Sequence, residues 1–382
     1  MPRVSRPDPA RAELDRRVRA WMREPWRADL GARGADRADD DARFDALARE
    51  LFAFQFERCA PFARFCAGRG VTPATLRSWR EIPAVPTGAF KELALRSFPA
   101  DRTCKVFRTS GTTDGRPGAL HLDTLEVYEA SLLPTFERFV LPDLGPGDHA
   151  GIAVLAPSHG EAGESSLSHM FGTVLAKRGS PGSAFFVRGG KLAEEPLLRA
   201  LRRAAESGAP LTVCGAAFAF VHVCELLAAR AERIALPPGS RAMETGGFKG
   251  RASERSRDAL YAEIEARLGI PPGRVVNQYG MTELGSQFYD TVLADPSGPR
   301  RKLGPPWARV RLLDPATGDD VAHGEPGMIT IVDLANTGSV LAVQTADLGR
   351  AVADGFEVQG RAPGAEARGC SIAADEMLGA RG

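Results

Sequence analysis

"CKVFRTSGTTDGRPGALHLD", Cys104 to Asp123, crowds the hydroxyl residues Thr109, Ser110, Thr112 and Thr113 around Gly111, with Gly115 and Gly118 following. Both flanks, CKVFRTS and GALHLD, read as strands. Glycines let the backbone turn tightly and come close to a ligand, and hydroxyls donate hydrogen bonds to anionic oxygens. A hydroxyl-rich loop between two strands suits the β- and γ-phosphates of a nucleotide. The stretch is not a Walker A loop, because it lacks the GK[ST] ending and a strand rather than a helix follows. It is not GxGxxG either. A ligand-free turn is the competing reading, since turns favour the same residue types.

Working outward, residues 101–299 alternate between strand and helix patterns. Helices are predicted over 124–140, 167–177, 194–205, 219–231 and 254–268, the last with Ser253 as N-cap and an apolar stripe of Leu260, Ile264 and Leu268. GIAVLAP, SAFFVRG, LTVCGA, SRAMETGG and RVVNQYG are the strands between them. Strands alternating with helices predict an α/β core with a largely parallel sheet. Upstream, residues 1–100 read as mainly helical, with helices over 10–22 and 42–65; Phe44, Leu47, Leu51 and Phe54 mark one face of the second. Downstream, residues 300–361 are strand-like segments separated by Gly, Pro and Asp, a small β subdomain. Residues 362–382 form a short tail.

A chain of 382 residues, 43% hydrophobic and 25% charged, has the composition of a soluble globular protein. A net charge of +1 gives no reason to expect nucleic acid as a partner. No apolar run reaches the roughly 20 residues of a membrane span, and the N-terminal residues lack the apolar core of a signal peptide, so the cytoplasm is the expected compartment. Cys59, Cys66, Cys104, Cys214, Cys224 and Cys370 match no zinc pattern and are expected as reduced thiols. His121, His149, His222 and His323 give no sign of clustering as metal ligands.

Three further stretches carry chemistry. "VVNQYGMTELG" (Val275–Gly285) offers an aromatic to stack on a base, a hydroxyl for a phosphate and a carboxylate for Mg²⁺. "QTADLG" (Gln344–Gly349) and "GFEVQGR" (Gly355–Arg361) offer Asp347 for ribose hydroxyls and Arg361 as an added donor. In this order, with the hydroxyl loop, the four stretches resemble the core motifs of the adenylate-forming superfamily. "IPAVPTGAFK" (Ile82–Lys91), "GESSLSHM" (Gly163–Met170), "ETGGFKG" (Glu244–Gly250) and "GRAPGAEARGCSIAADE" (Gly360–Glu376) narrow the resemblance to the acyl-protein synthetase, or LuxE, family, in the branch that includes phenylacetate-CoA ligase.

The resemblance implies an adenylate-forming α/β domain with a small β subdomain, and a chain that ends without the superfamily's lysine-bearing C-terminal domain. It implies that Ser110, Gly111, Thr112 and Thr113 cradle the phosphates of ATP, and that Gly246 and Gly247 let the backbone approach adenine. Tyr279 would stack on the base or border the acyl pocket, Thr282 would touch the α-phosphate and Glu283 would bind Mg²⁺. Asp347 and Arg361 would hold the ribose. The superfamily's phosphate loop closes with a lysine; here Arg116 stands in its place, and Arg is not a simple substitute. Lys249 is the candidate for the missing catalytic lysine, against an ordinary surface lysine.

The resemblance also implies that Cys370 takes the acyl group as a thioester and passes it to a reductase or other acceptor, against an incidental thiol. His159 and His169 would line the acyl pocket or serve structurally. The implied function is ATP-dependent activation of a carboxylic acid, a fatty acid by the finer resemblance. The alternatives are a CoA or carrier-protein ligase in which Cys370 is incidental, and a non-catalytic nucleotide-binding scaffold.

Overall fold

The computed structural model describes residues 8–25, 35–109, 116–246, 256–362 and Met377. Compactness does not follow chain order. One unit takes Met1–Pro134, Met281–Gln287 and Leu303–Gly382; the other takes Thr135–Gly280 and Phe288–Lys302. Along the chain the first unit begins with α1 (Pro9–Met22), α2 (Ala35–Arg58), α3 (Ala60–Ala67), β1 (Val85–Pro86), α4 (Ala89–Glu92), β2 (Lys105–Arg108) and β3 (Ala119–Leu122). Helix α5 (Glu126–Val140) leads into the second unit, which holds β4 (Gly151–Pro157), α6 (Ser166–Arg178), β5 (Ala184–Arg188), β6 (Lys191–Leu192), α7 (Glu194–Ser207) and β7 (Leu211–Ala216). It continues with α8 (Ala217–Ala229), β8 (Arg241–Thr245), α9 (Arg257–Leu268), β9 (Val275–Tyr279) and β10 (Phe288–Asp290). After β11 (Lys302–Leu303), β12 (Ala308–Leu313), β13 (Pro326–Asp333), β14 (Ala342–Val352) and β15 (Gly355–Arg361) complete the first unit.

In the first unit the helices bury the stripes that predicted them. Leu14, Val18, Trp21 and Met22 of α1, and Phe44, Leu47, Leu51 and Phe54 of α2, are buried. The helix expected over 42–65 is two helices. Cys59 is the N-cap of α3 and Pro61 sits in its first turn, where its fixed φ and missing N–H are tolerated; within a continuous helix the ring would clash with the preceding turn. Strands β12, β13, β14 and β15 form an antiparallel sheet in chain order. On the side of β14 that β15 occupies from Asp347 onward, β1 pairs in parallel with Val343 and Gln344. Strands β2 and β3 make a separate hairpin.

The second unit is doubly wound. Its sheet runs β10-β9-β8-β7-β4-β5-β6, and β9, β8, β7, β4 and β5 are parallel. The central strands therefore lie in the order second, first, third, fourth, fifth of their succession in the chain. That order reverses between β4 and β7, and such a switch point opens a crevice beyond the carboxyl ends of the strands. Ala153, Leu155, Val213, Ala242 and Val275 pack on one face with Leu198 of α7, Phe220 of α8 and Ile264 of α9. Their neighbours Val154, Cys214, Met243 and Val276 are equally buried on the other face, as the period of two requires. Helix α9 is shorter than expected and its N-cap is Ser256, whose hydroxyl accepts from the Ala259 amide, rather than Ser253, which lies outside the described residues.

At the switch point β7 needs a glycine. A Cβ on Gly215 would stand 2.8 Å from the Leu155 Cβ and 3.1 Å from the Leu155 carbonyl oxygen of β4. Gly215→Ala should therefore overpack the seam and lower stability by about 1–3 kcal/mol, read as a lower denaturant midpoint in equilibrium unfolding.

Candidate active site

The hydroxyl loop springs from the β2–β3 hairpin. Arg108 pairs with Ala119. Beyond that pair the neck is closed by the Thr109 amide donating to the Gly118 carbonyl at 2.9 Å, and by the Gly118 amide donating to the Thr109 hydroxyl at 2.8 Å. Ser110, Gly111, Thr112 and Thr113 lie outside the described residues. Thr282 reaches this neck and donates its hydroxyl to the Arg108 carbonyl at 3.3 Å. Glu283 is buried beside it; a Cβ on Gly118 would stand 3.5 Å from its Oε1, 3.3 Å from Thr109 Cγ2 and 3.5 Å from Phe90 Cβ. The structure thus brings the Thr282–Glu283 pair to the base of the hydroxyl loop, across 174 residues of chain.

A buried carboxylate fixes that pair. Asp333, with no exposure, ends β13. Its Oδ2 accepts from the Gly285 and Ser286 amides at 2.9 and 2.8 Å. Its Oδ1 accepts from the Ser286 hydroxyl at 2.7 Å and the Ala335 amide at 2.9 Å. Burial pushes the carboxyl above its ordinary value, while these donors pull it back. A hydroxyl has one proton. Because Ser286 gives its own to Asp333, Ser131, 3.0 Å away, donates to Ser286 and in turn accepts from the Trp307 indole N–H at 2.8 Å. The Asn336 amide nitrogen donates to the Glu283 carbonyl at 2.8 Å, and Gln55 donates to the Asn336 carbonyl at 2.8 Å. Every link in this chain lies in the first unit.

Asp347 and Arg361 meet as cross-strand partners on β14 and β15, with Arg361 Nε 4.0 Å from Asp347 Oδ1. Arg116 is exposed on the rim of a cavity beside the hairpin.

In the second unit, Gly246 and Tyr279 stand at the carboxyl ends of neighbouring parallel strands, and the Thr245 hydroxyl donates to the Gln278 carbonyl at 3.3 Å. Gly246 has φ +81°, a backbone that side chains rarely adopt. The Tyr279 ring lies 6.4 Å from that of Phe288. At the carboxyl end of β4, the His159 ring rests on Gly172 of α6, where a Cβ would stand 2.5 Å from its Nδ1, and is 6.5 Å from the His169 ring. Gly247, Lys249 and Cys370 lie outside the described residues. Of the described cysteines, Cys59, Cys66 and Cys214 have thiols pushed up by burial, and Cys104 by burial and by Asp123. None of these four is an activated thiolate.

Among the described residues, no three His, Cys, Asp or Glu side chains gather as a metal cage. Glu283, a single buried carboxylate at the base of a phosphate-type loop, fits Mg²⁺, which takes one or two carboxylates and completes its shell from phosphates and water. No described helix is long and apolar enough to cross a membrane.

The sequence matches the acyl-protein synthetase family LuxE over residues 38–379. The chain belongs to the LuxE family. It is similar to a long-chain-fatty-acid–luciferin-component ligase of Aliivibrio fischeri, 23% identical over 309 residues, which cover 80% of this chain and 78% of that protein. Its fold is similar to 2-hydroxyisobutyryl-CoA ligase in an open conformation with 2-HIB-AMP and CoA: the TM-score is 0.60 at 15% identity, over 89% of this chain and 80% of that one. The same ligase in its postadenylation state with R3-HIB-AMP also gives 0.60, at 14% identity over 86% of this chain and 68% of that one. The LuxE chain thus has the α/β fold of the adenylate-forming ligases and is an acyl-protein ligase.

Sequence reasoning missed a second buried network in this LuxE protein. Glu244 Oε1 accepts from the Tyr261 hydroxyl at 2.8 Å and the Asn277 amide at 2.6 Å, just before the Gly246 turn. Lys302 donates to the Asn277 side-chain oxygen, to the Asn277 carbonyl at 3.1 Å and to Asp290 Oδ1 at 3.0 Å. Arg300 donates to Asp290 Oδ2 at 2.6 Å. Burial pushes Glu244 up and Lys302 down. Burial also pushes Asp290 up, but Lys302 and Arg300 outweigh it and hold the carboxyl below its ordinary value. The one available signal was the scarcity of lysine, which made Lys302 worth placing.

Two tests follow from these networks. Asp333→Asn sets an N–H₂ against amide donors and should cost about 1–3 kcal/mol, measured by chemical denaturation. Lys302→Met leaves Asp290 short of a partner and should cost about 3–5 kcal/mol at neutral pH. Asp290's contribution is present above the ordinary carboxylate value of about 3.9 and is lost as the pH falls through its lower folded value. The Lys302→Met penalty should therefore shrink as the medium is taken below about pH 4, because protonated Asp290 no longer needs a cation.

Proposed function

We propose that this LuxE protein activates a carboxylic acid, a fatty acid by its similarity to the Aliivibrio ligase, with ATP, and captures the acyl group on Cys370. The observation that carries the reading is the Thr282 hydroxyl on the Arg108 carbonyl with Glu283 beside Gly118, at the neck of the hydroxyl loop. The chemistry requires such a grouping. A carboxylate oxygen attacks the α-phosphorus, a new O–P bond forms, and the bond to the bridging oxygen of the β-phosphate breaks, so that pyrophosphate leaves with the electron pair. The protein's task is alignment and neutralisation of the charge that develops.

In this reading Ser110, Gly111, Thr112, Thr113 and Arg116 receive the phosphates and Thr282 the α-phosphate. Glu283 would hold Mg²⁺, which neutralises phosphate charge when bound. Gly246, Gly247 and Tyr279 would border the base, Asp347 and Arg361 would take the ribose, and Lys249 would supply the catalytic cation. The Cys370 thiol then loses its proton to solvent and attacks the acyl carbon. A C–S bond forms, the C–O bond to phosphate breaks and AMP leaves. A reductase or an acyl-carrier protein would be the onward acceptor.

Pyrophosphate exchange into ATP, run across a panel of fatty and aromatic acids, tests the reading. Acid-dependent exchange is expected, reduced about 10²–10³-fold by Glu283→Ala. Cys370→Ala should keep the exchange and lose acyl-enzyme formation from labelled acid. A wild-type protein that supports exchange with no acid in the panel would sink the proposal.

A further inference from the structure

Glu244 of β8 is 2% exposed, and its two donors, the Tyr261 hydroxyl of α9 and the Asn277 side-chain amide of β9, meet at one oxygen, Oε1. Oε2 is buried as well and has no hydrogen-bond partner among the described residues. The neighbours cannot be rearranged to serve it. An ammonium has three donors, and Lys302 gives its three to the Asn277 carbonyl, the Asn277 side-chain oxygen and Asp290 Oδ1. Because the Asn277 side-chain oxygen accepts from Lys302, its amide nitrogen is the end that must face Glu244. The Tyr261 hydroxyl has one proton, and Glu244 Oε1 takes it. Strand β7 opposes Glu244 with Gly215, which has no side chain. The other cation that acts on Glu244 is Arg257, exposed at the start of α9.

This pattern suits a carboxylic acid and not a carboxylate. An ionised carboxyl shares its charge between two oxygens, and each needs donors where water is excluded. Here one oxygen is filled and the other is bare. In the neutral form Oε1 is the carbonyl oxygen and accepts twice, while Oε2 carries the proton. The bond left unmade is then that of a neutral hydroxyl, which costs less than that of a charge. Burial favours the same form. Asp290 is the opposite case: Lys302 and Arg300 donate to its two oxygens and hold it ionised.

Glu244 and Asn277 are cross-strand partners, and two residues further along each strand stand Gly246, with φ +81°, and Tyr279. We infer that Glu244 is a neutral carboxylic acid at neutral pH and the positioning residue for the Gly246–Tyr279 edge. Loss of its proton leaves a bare charged oxygen, which the end of β8 must move to solvate, and the edge moves with it. The consequence for nucleotide binding rests on the adenylation reading; the protonation state does not.

Glu244→Gln copies the neutral acid, with a carbonyl oxygen for Tyr261 and Asn277 and an amide in place of the acid O–H. In infrared spectra of the full chain at neutral pH, the wild type should show the C=O stretch of a protonated carboxyl that Glu244→Gln lacks. In the wild type this band should fade as the pH is raised. A carboxyl held protonated by folding contributes stability that is whole below the ordinary glutamate value of about 4.3 and is lost as the pH rises from there through its raised folded value. The unfolding constant of the wild type relative to Glu244→Gln should therefore grow by up to about tenfold per pH unit above that value. ATP affinity, measured by calorimetry, should fall about tenfold further in the wild type than in Glu244→Gln once the band has faded. A Glu244→Gln protein that loses no band, is less stable than the wild type at neutral pH and regains parity in acid shows an ionised Glu244 and overturns the inference. A band with identical ATP-affinity profiles overturns the positioning role. Absence of ATP binding by both proteins at every pH would sink the adenylation reading and the positioning role with it, while the band and the stability profile decide the protonation state.

Discussion

Asp333 is wholly buried and receives hydrogen bonds from residues 285, 286 and 335. An ionised carboxylate in that position is tolerated only when its lone pairs are filled, because an unsatisfied buried charge costs far more than a hydrogen bond returns. Three of the four donors come from the segment just after Glu283, so satisfying Asp333 and placing Thr282 and Glu283 are one requirement. The relay from Trp307 through Ser131 and Ser286 removes the remaining freedom of that segment, since each hydroxyl orients the next. Asn336, held by Gln55, fixes the Glu283 carbonyl from the other side.

The second unit uses the same device in another form. Asn277 joins Glu244, Lys302 and, through its own amide, Asp290. These side chains tie the ends of β8 and β9 to β10 and α9, where Gly246 and Tyr279 emerge. Polar groups this deep give less stability than an apolar core of the same volume. What they supply is register. A strand that slipped by one residue would strand a carboxylate or an ammonium without a partner.

Catalysis by adenylation asks little covalent chemistry of the protein before acyl capture. It asks for donors and cations at fixed positions around phosphate oxygens. In the proposed adenylation both networks would serve that demand, since a hydroxyl or carboxylate held by buried partners has little conformational freedom left to lose on meeting a ligand. Burial pushes the thiols of Cys59, Cys66 and Cys214 up, and Cys224 is buried as well; the thiol that the proposed chemistry would use is Cys370.

Helices and strands were legible because burial faces repeat along the chain. The stripe Phe44–Leu47–Leu51–Phe54 and the apolar runs of β4, β7 and β9 announce their elements locally, and the hydroxyl loop and Tyr279–Glu283 resemble core motifs of the adenylate-forming superfamily. The break at Pro61 was missed because the apolar spacing runs on through it, and the cap of α9 was placed at Ser253 in place of Ser256, three residues away. The lone acidic residue Asp333 could not be read from the sequence at all. Its partners lie 47 and 48 residues upstream as well as nearby, and an aspartate ending an apolar strand looks like an ordinary turn residue until those partners surround it. The same holds for Lys302. Periodicity and residue type act within a few turns of chain and fix the elements. Which charges are buried together, and so which carboxylates and cations are held in place, is decided only when packing brings distant segments into contact.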